Sequence, residues 1–257
     1  MNPQPSWDDL EFYYNNAYEA YDPMHGSGAN DEQEIERAKL TGSFRHIPLP
    51  SGMRLLDVGC GGGYFLRITA KLGAIAEGVE PSRYAAEVAW KQGLRVFHGT
   101  LESYADEAPS GTQFDIITAN HVVEHVPRPV ETLCEMKRLL APGGFIWIAV
   151  PNAAYPICRS LKGLWHSTDL PYHLMQFTPA SISEAGRQAG LKIRRQYTES
   201  LPRNVAASLG QYLRYRWKLP RRFTQRLRFL DAVSVWYARR ADRKCAGEAI
   251  LTEFVPS

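Results

Sequence analysis

The sequence predicts an α/β domain built on a doubly wound, mostly parallel sheet. Three observations carry that expectation. Short apolar runs alternate with helical segments of similar or greater length, the first run enters a glycine turn at 59–63, and the apolar content suffices for one large core. The chain has 257 residues, of which 44% are hydrophobic and 22% charged, too apolar for disorder. A bilayer span needs about 20 apolar residues. The most apolar run, 145–150, is far shorter and reads as a buried strand. Trp7, Asp8, Asp9 and Glu11 make the N-terminus acidic and unlike a signal peptide, so a cytoplasmic location is expected. Cys60, Cys134, Cys158 and Cys245 lie far apart and read as free thiols.

Taken in order, 6–21 and 31–47 read as two polar helices separated by Pro23, Gly26 and Gly28. Strands are expected at 53–58, 74–80, 94–98, 114–119, 144–150, 191–198 and 247–255, seven in all. Helices are expected at 64–72, 82–91 and 129–140. A further helix opens at Thr178 as N-cap with Pro179 at the first position, and Gly190 closes it. Residues 151–177 read as a loop rich in Pro, Tyr, Trp and His. The chain thus divides into an N-terminal helical lid (1–49), the sheet domain (50–200 with 246–257) and a helical insertion before the last strand (201–245).

The net charge of +3 hides an uneven distribution. Between Arg194 and Lys244 there are 14 basic residues against three acids, leaving 16 basic and 24 acidic residues elsewhere. An acidic body carries one basic segment.

In 55–65 a buried strand runs into Gly59, Cys60, Gly61, Gly62 and Gly63 and then opens a helix. Glycines there let a ligand approach the backbone. The dinucleotide pattern GxGxxG fails, because Tyr64 or Leu66 stands where its third glycine belongs. Asp57 would repel a pyrophosphate and suits an ammonium group. Glu80, ending the second strand, can hold both hydroxyls of a ribose. The implied ligand is a nucleoside carrying an amino group and no phosphates.

These residues resemble the class I S-adenosylmethionine-dependent methyltransferases. Asp57 to Gly63 is similar to their first motif and Glu80 to their ribose-binding acid. Phe114-Asp115-Ile116-Ile117 is similar to their fourth-strand motif, and Leu139 to Gly144 to the turn before strand five. The resemblance implies a Rossmann-like fold with S-adenosylmethionine bound by Asp57, Gly59, Cys60, Gly61, Gly63 and Glu80. It places the Leu101 backbone near the adenine and Asn120 beside the methionine end, with Arg37 and Lys39 as candidates for the methionine carboxylate.

Methyl transfer depends on placing a nucleophile about 3 Å from the methyl carbon, with a general base where a proton must leave. Glu124 and His125 match the Glu-His pair of ubiquinone-biosynthesis-type O-methyltransferases, where another acid stands at the position of His121. Three roles stay open for His125. It is a general base, or it binds a divalent metal with His121 and Glu124 as in the small-RNA 2′-O-methyltransferases, or it only hydrogen-bonds backbone. Of these, metal is favoured least, and no metal ligand is assigned. His173, just before Phe177-Thr178-Pro179, is the second catalytic candidate, in the loop that the resemblance places over the acceptor. Trp165, His166, Tyr172 and Phe177 make that loop aromatic. Trp7, Phe12, Tyr13, Tyr14 and Tyr18 offer an opposing lid or simply pack.

The basic segment interleaves Arg214, Arg216, Arg221 and Arg222 with Tyr212, Tyr215 and Trp217. It reads as a solvated helical cap, then as a peripheral membrane contact through 211–244 at the inner face, and last as a nucleic-acid surface. The expected function is methyl transfer to a small-molecule or lipid-linked acceptor at oxygen. The alternatives are an RNA 2′-O-methyltransferase with a metal-assisted site and a non-catalytic S-adenosylmethionine-binding protein.

Overall fold

The computed structural model describes residues 30–161, 172–220 and 229–257. The expected helix at 6–21, its aromatic lid residues, and Trp165 and His166 lie outside the described residues.

Helix α1 (Asp31–Thr41) is shorter than the expected 31–47. Gly42 takes a left-handed conformation, φ 69°, and its N–H caps the Ala38 carbonyl. A hairpin follows, β1 (Ser43–Phe44) and β2 (Ile47–Pro48), turned by Arg45 and His46 at φ 47° and 67°. Phe44 and Ile47 are three apart, which mimics a helical stripe. They are instead the two arms of the hairpin, both buried, with Phe44 stacked on Phe65.

The seven remaining strands are β3 (Arg54–Val58), β4 (Ile75–Glu80), β5 (Val96–His98), β6 (Phe114–Asn120), β7 (Leu140–Pro151), β8 (Leu191–Glu199) and β9 (Ala249–Pro256). They form one sheet in the order β5-β4-β3-β6-β7-β9-β8, with β9 antiparallel to both its neighbours. Leu55 packs to one side with Phe65, Ile116 and Phe145, and Leu56 to the other with Ile117, Leu133 and Ile146. Both faces are therefore covered, which is why the central strands read as unbroken apolar runs.

Helices α2 (Tyr64–Lys71) and α3 (Arg83–Lys91) follow β3 and β4. The Ser82 hydroxyl caps α3 by accepting from the Ala85 N–H. Helix α4 (Leu101–Glu107) was not expected from the sequence, because only Leu101 and Tyr104 mark its buried side. Helix α5 (Pro129–Arg138) precedes β7, and α6 (Pro156–Leu161) forms within the stretch read as loop. Helix α7 (Pro179–Gln188) has a complete capping box between Thr178 and Ser181, and Gly190 beyond it is left-handed.

Helices α8 (Pro202–Trp217) and α9 (Phe229–Asp242) lie between β8 and β9. With α6 they enclose a small separate core of Tyr155, Ile157, Val205, Ala238 and Ala241. Glu199 pairs with Ala249, and Ala249 with Pro151. The helical pair thus leaves and rejoins the sheet at the edge where the parallel strands end. Among the described residues no helix is long and apolar enough to cross a membrane.

Candidate active site

Strand order reverses between β3 and β6, so a crevice opens where their C-terminal ends diverge. The glycine loop forms one side of it. The N–H groups of Gly59 and Cys60 both donate to the Val79 carbonyl, at 2.8 and 3.2 Å, lacing the loop to β4. Glu80 is 2% exposed; its Oε2 accepts the Gly61 N–H and its Oε1 the Ser82 N–H, each at 2.8 Å. The acid singled out for a ribose therefore also fixes the loop, while the Cys60 amide is committed to β4.

Gly59 has φ 66°, and a Cβ there would lie 2.5 Å from Val122 Cγ2. No other residue fits between the loop and the segment after β6. Asp57 is buried and accepts the Thr118 hydroxyl at 2.6 Å. Burial pushes its carboxyl up to about 7, against the opposing Thr118 hydrogen bond and the charge of Arg45. It is a partnered buried acid that a nearby cation would help to ionise. Leu101 is the first residue of α4, its side chain buried, and Asn120 ends β6 half-buried. Glu102 turns away to accept the Thr132 hydroxyl at 3.2 Å.

Arg37 and Lys39 are exposed on α1, and Arg37 exerts its charge on Glu199 at the end of β8. The cation whose charge reaches both Asp57 and His121 is Arg45, at the hairpin tip. Its guanidinium lies 5.4 Å from the Tyr64 ring centroid and 5.7 Å from that of Phe65. No local pattern marks Arg45, because its position depends on the hairpin turn at 45–46, where the spacing predicts a helix.

The other side of the crevice is the segment after β6. His121 has φ 56°, and its N–H donates to the Ala149 carbonyl. Its Nδ1 lies 3.0 Å from Glu124 Oε1, and His173 Nε2 lies 4.0 Å from the same oxygen. The His125 and His173 rings meet edge to face at 4.7 Å. The N–H groups of Leu174 and Met175 donate to the Glu124 carbonyl, so the loop carrying His173 is bound to the segment carrying His125. His125 Nδ1 is 3.0 Å from the Tyr172 carbonyl, which can only accept. In that tautomer Nδ1 carries the proton and Nε2 the lone pair.

Burial lowers the His125 pKa, and the Glu124 charge only partly offsets it, so the ring favours its neutral form. Burial would also lower that of His121, but the Glu124 hydrogen bond and charge outweigh it and the net shift is upward. For Glu124 burial acts upward and the three histidines prevail, holding the carboxylate below its usual range. Glu124, His125 and His173 each offer a ligand atom, and these lie within 4.8 Å of one another. Glu124 Oε2 is buried without a hydrogen-bond partner among the described residues. Among the described residues the metal-capable set is thus Glu124, His125 and His173, with His121 as the hydrogen-bond partner of Glu124.

Comparison with known proteins gives the family and the fold. A family model described as "Methyltransferase domain" matches residues 31–196. The chain is 32% identical over 161 residues to the ubiquinone biosynthesis O-methyltransferase of Aeromonas salmonicida, covering 56% of this chain and 64% of that protein. It is 32% identical over 171 residues to the protein of the same name from Thiobacillus denitrificans, covering 62% and 72%. Some other relatives are matched over only about half their length, as in Caulobacter at 51%. An S-adenosylmethionine-dependent methyltransferase from Mesorhizobium loti shares the fold, with TM-score 0.55 at 18% identity over 87% of this chain and 99% of that one. With the family match spanning well over half of its residues, the chain belongs to the S-adenosylmethionine-dependent methyltransferases.

Proposed function

We propose that the protein transfers a methyl group to a hydroxyl of a small-molecule or lipid-linked acceptor. The observation that carries this reading is the direct packing of two dissimilar sites, Gly59 of the glycine loop against Val122 beside the histidine cluster. The bare backbone at 59–63, with a carboxylate on each flank, fits a nucleoside with a cationic tail. Asp57, Gly59, Cys60, Gly61, Gly63, Glu80, Leu101 and Asn120 would hold it, with Arg45 facing its carboxylate. S-adenosylmethionine supplies an electrophilic methyl group on a sulfonium. The acceptor hydroxyl gives its proton to His125 Nε2, while the Tyr172 carbonyl keeps the ring in the tautomer that can receive it. His173 and Glu124 orient that ring and the loop above it. Oxygen is the acceptor atom in the relatives' printed names, which supports the same choice here.

A second reading rests on Glu124 Oε2 and the two histidines beside it. These three residues would hold a divalent cation, which would acidify the acceptor hydroxyl. Calorimetry with S-adenosylmethionine, then methyl transfer to a panel of hydroxylated small molecules and lipids with and without chelator, tests both. Turnover that survives chelation selects the base. Turnover that chelation abolishes and a divalent ion restores selects the cation. Cofactor binding with no transfer to any hydroxyl would overturn the choice of oxygen as the acceptor atom.

A further inference from the structure

The helical pair α8–α9 presents a surface that its own core does not explain. Of twelve large hydrophobic side chains exposed among the described residues, six are Leu201, Tyr212, Tyr215, Trp217, Val233 and Trp236. Five of these six lie on the two helices, and Leu201 is the N-cap of α8. Trp217 is 67% exposed and Trp236 63%. On α9 the inward positions are Ser234, Ala238 and Ala241, all buried. Val233, Trp236, Arg240 and Arg243 step by three or four along the opposite, exposed side. The Arg240 guanidinium lies 5.8 Å from the Trp236 ring centroid. One acid of this region, Asp242, is engaged inward, accepting both the N–H and the hydroxyl of Ser200. Arg216, Lys218, Arg239 and Lys244 are exposed as well.

We propose that the outer side of α8–α9 is a docking surface for an anionic phospholipid bilayer. Charge complementarity selects the partner: the exposed cations Arg216, Lys218, Arg239, Arg240, Arg243 and Lys244 on and beside the two helices oppose the sign of anionic headgroups. Tryptophan, tyrosine and arginine occupy a headgroup layer readily, the arginines by extending their charged ends to water. Val233 and Leu201 are aliphatic, so they gain from an acyl phase and offer nothing to stack against a nucleobase. The pair leaves and rejoins the sheet at the edge that carries the crevice, so docking there sets the active-site mouth close to the lipid. That last consequence rests on the proposed transfer to a lipid-linked acceptor, whereas the surface itself does not.

The test uses the full chain and three probes. These are phosphatidylglycerol–phosphatidylcholine vesicles, phosphatidylcholine vesicles and a single-stranded RNA oligomer. Binding to the anionic vesicles is expected to exceed binding to neutral ones by at least roughly tenfold and to weaken with salt. The R239Q/R240Q/R243Q variant should lose roughly 100-fold in vesicle affinity, and W217A/W236A roughly tenfold. Both variants should keep S-adenosylmethionine affinity and melting temperature, which separates a lost surface from a lost fold. No preference for anionic vesicles, or binding that both variants retain, overturns the proposal. So does RNA binding that the arginine variant abolishes without vesicle binding. Cofactor calorimetry reads the methyltransferase proposal independently of any of these outcomes.

Discussion

The two sides of the crevice are built in opposite ways. The glycine-loop side is local: Gly59, Gly61, Glu80 and Ser82 lie within 24 consecutive residues, and backbone amides satisfy the carboxylate. The histidine side is assembled across the chain, with His125 and Tyr172 joined by a bond between residues 47 apart and one buried glutamate oxygen without a hydrogen-bond partner among the described residues. A fully bonded side suits holding a ligand in one pose. A side with a lone pair and an unsatisfied carboxylate oxygen suits moving a proton or taking a cation.

The sharpest way to break this contrast is His125→Ala. Loss of a general base should lower kcat by roughly 100- to 10,000-fold while S-adenosylmethionine affinity stays unchanged in calorimetry. A parallel loss of cofactor affinity would mean that the two sides are one site. Glu80→Ala tests the other side. Removing the acceptor of two amide hydrogen bonds should weaken cofactor binding by roughly 100-fold, about 3 kcal/mol, and leave the residual rate at saturating cofactor largely intact. Full cofactor affinity in that variant would break the assignment of the loop.

Gly59→Ala probes the seam between the two sides. Positive φ together with the clash against Val122 should cost about 1–3 kcal/mol in thermal or denaturant unfolding, and pairing it with Val122→Ala should restore part of that. A cost that Val122→Ala does not relieve would leave the strained φ alone responsible. The smallest effect is expected at Asp31, which is buried and pins α1 to α2 through Arg67 and Lys71 at 2.8 and 2.7 Å. The Arg67 hydrogen bond outweighs burial and, with Lys71, lowers its carboxyl to about 2. Its folded pKa lies below the unfolded one, so its stability is present above pH 4 and lost as pH falls towards 2. Because Lys71 is half exposed, Asp31→Asn should cost only about 1–2 kcal/mol at pH 7, falling to a small fraction of that at pH 2. A cost unchanged by pH would assign the effect to packing.

Much of the fold was legible because its signals are short-range. A five-residue strand, a glycine turn and a helix follow one another at 54–71, and Thr178 caps its helix just as Ser82 does. Errors fell where one local pattern fits two structures. Phe44 and Ile47 satisfy a helical stripe as well as a hairpin, and the side that wins is the one that can bury both against Phe65. Helix α4 escaped notice because seven residues with two apolar anchors carry too little periodicity.

By itself the sequence determined the parallel sheet, its strand count, the glycine loop and the acid after it, because each depends on residues within a turn or two of one another. Only the tertiary structure decided three further things. It gathered Glu124, His125 and His173 around one point, brought the charge of Arg45 within reach of Asp57 and His121, and rooted the basic helices at the edge that carries the crevice. Each of these joins segments tens of residues apart, and such contacts depend on strand order and on which surfaces must be buried, which no local spacing records.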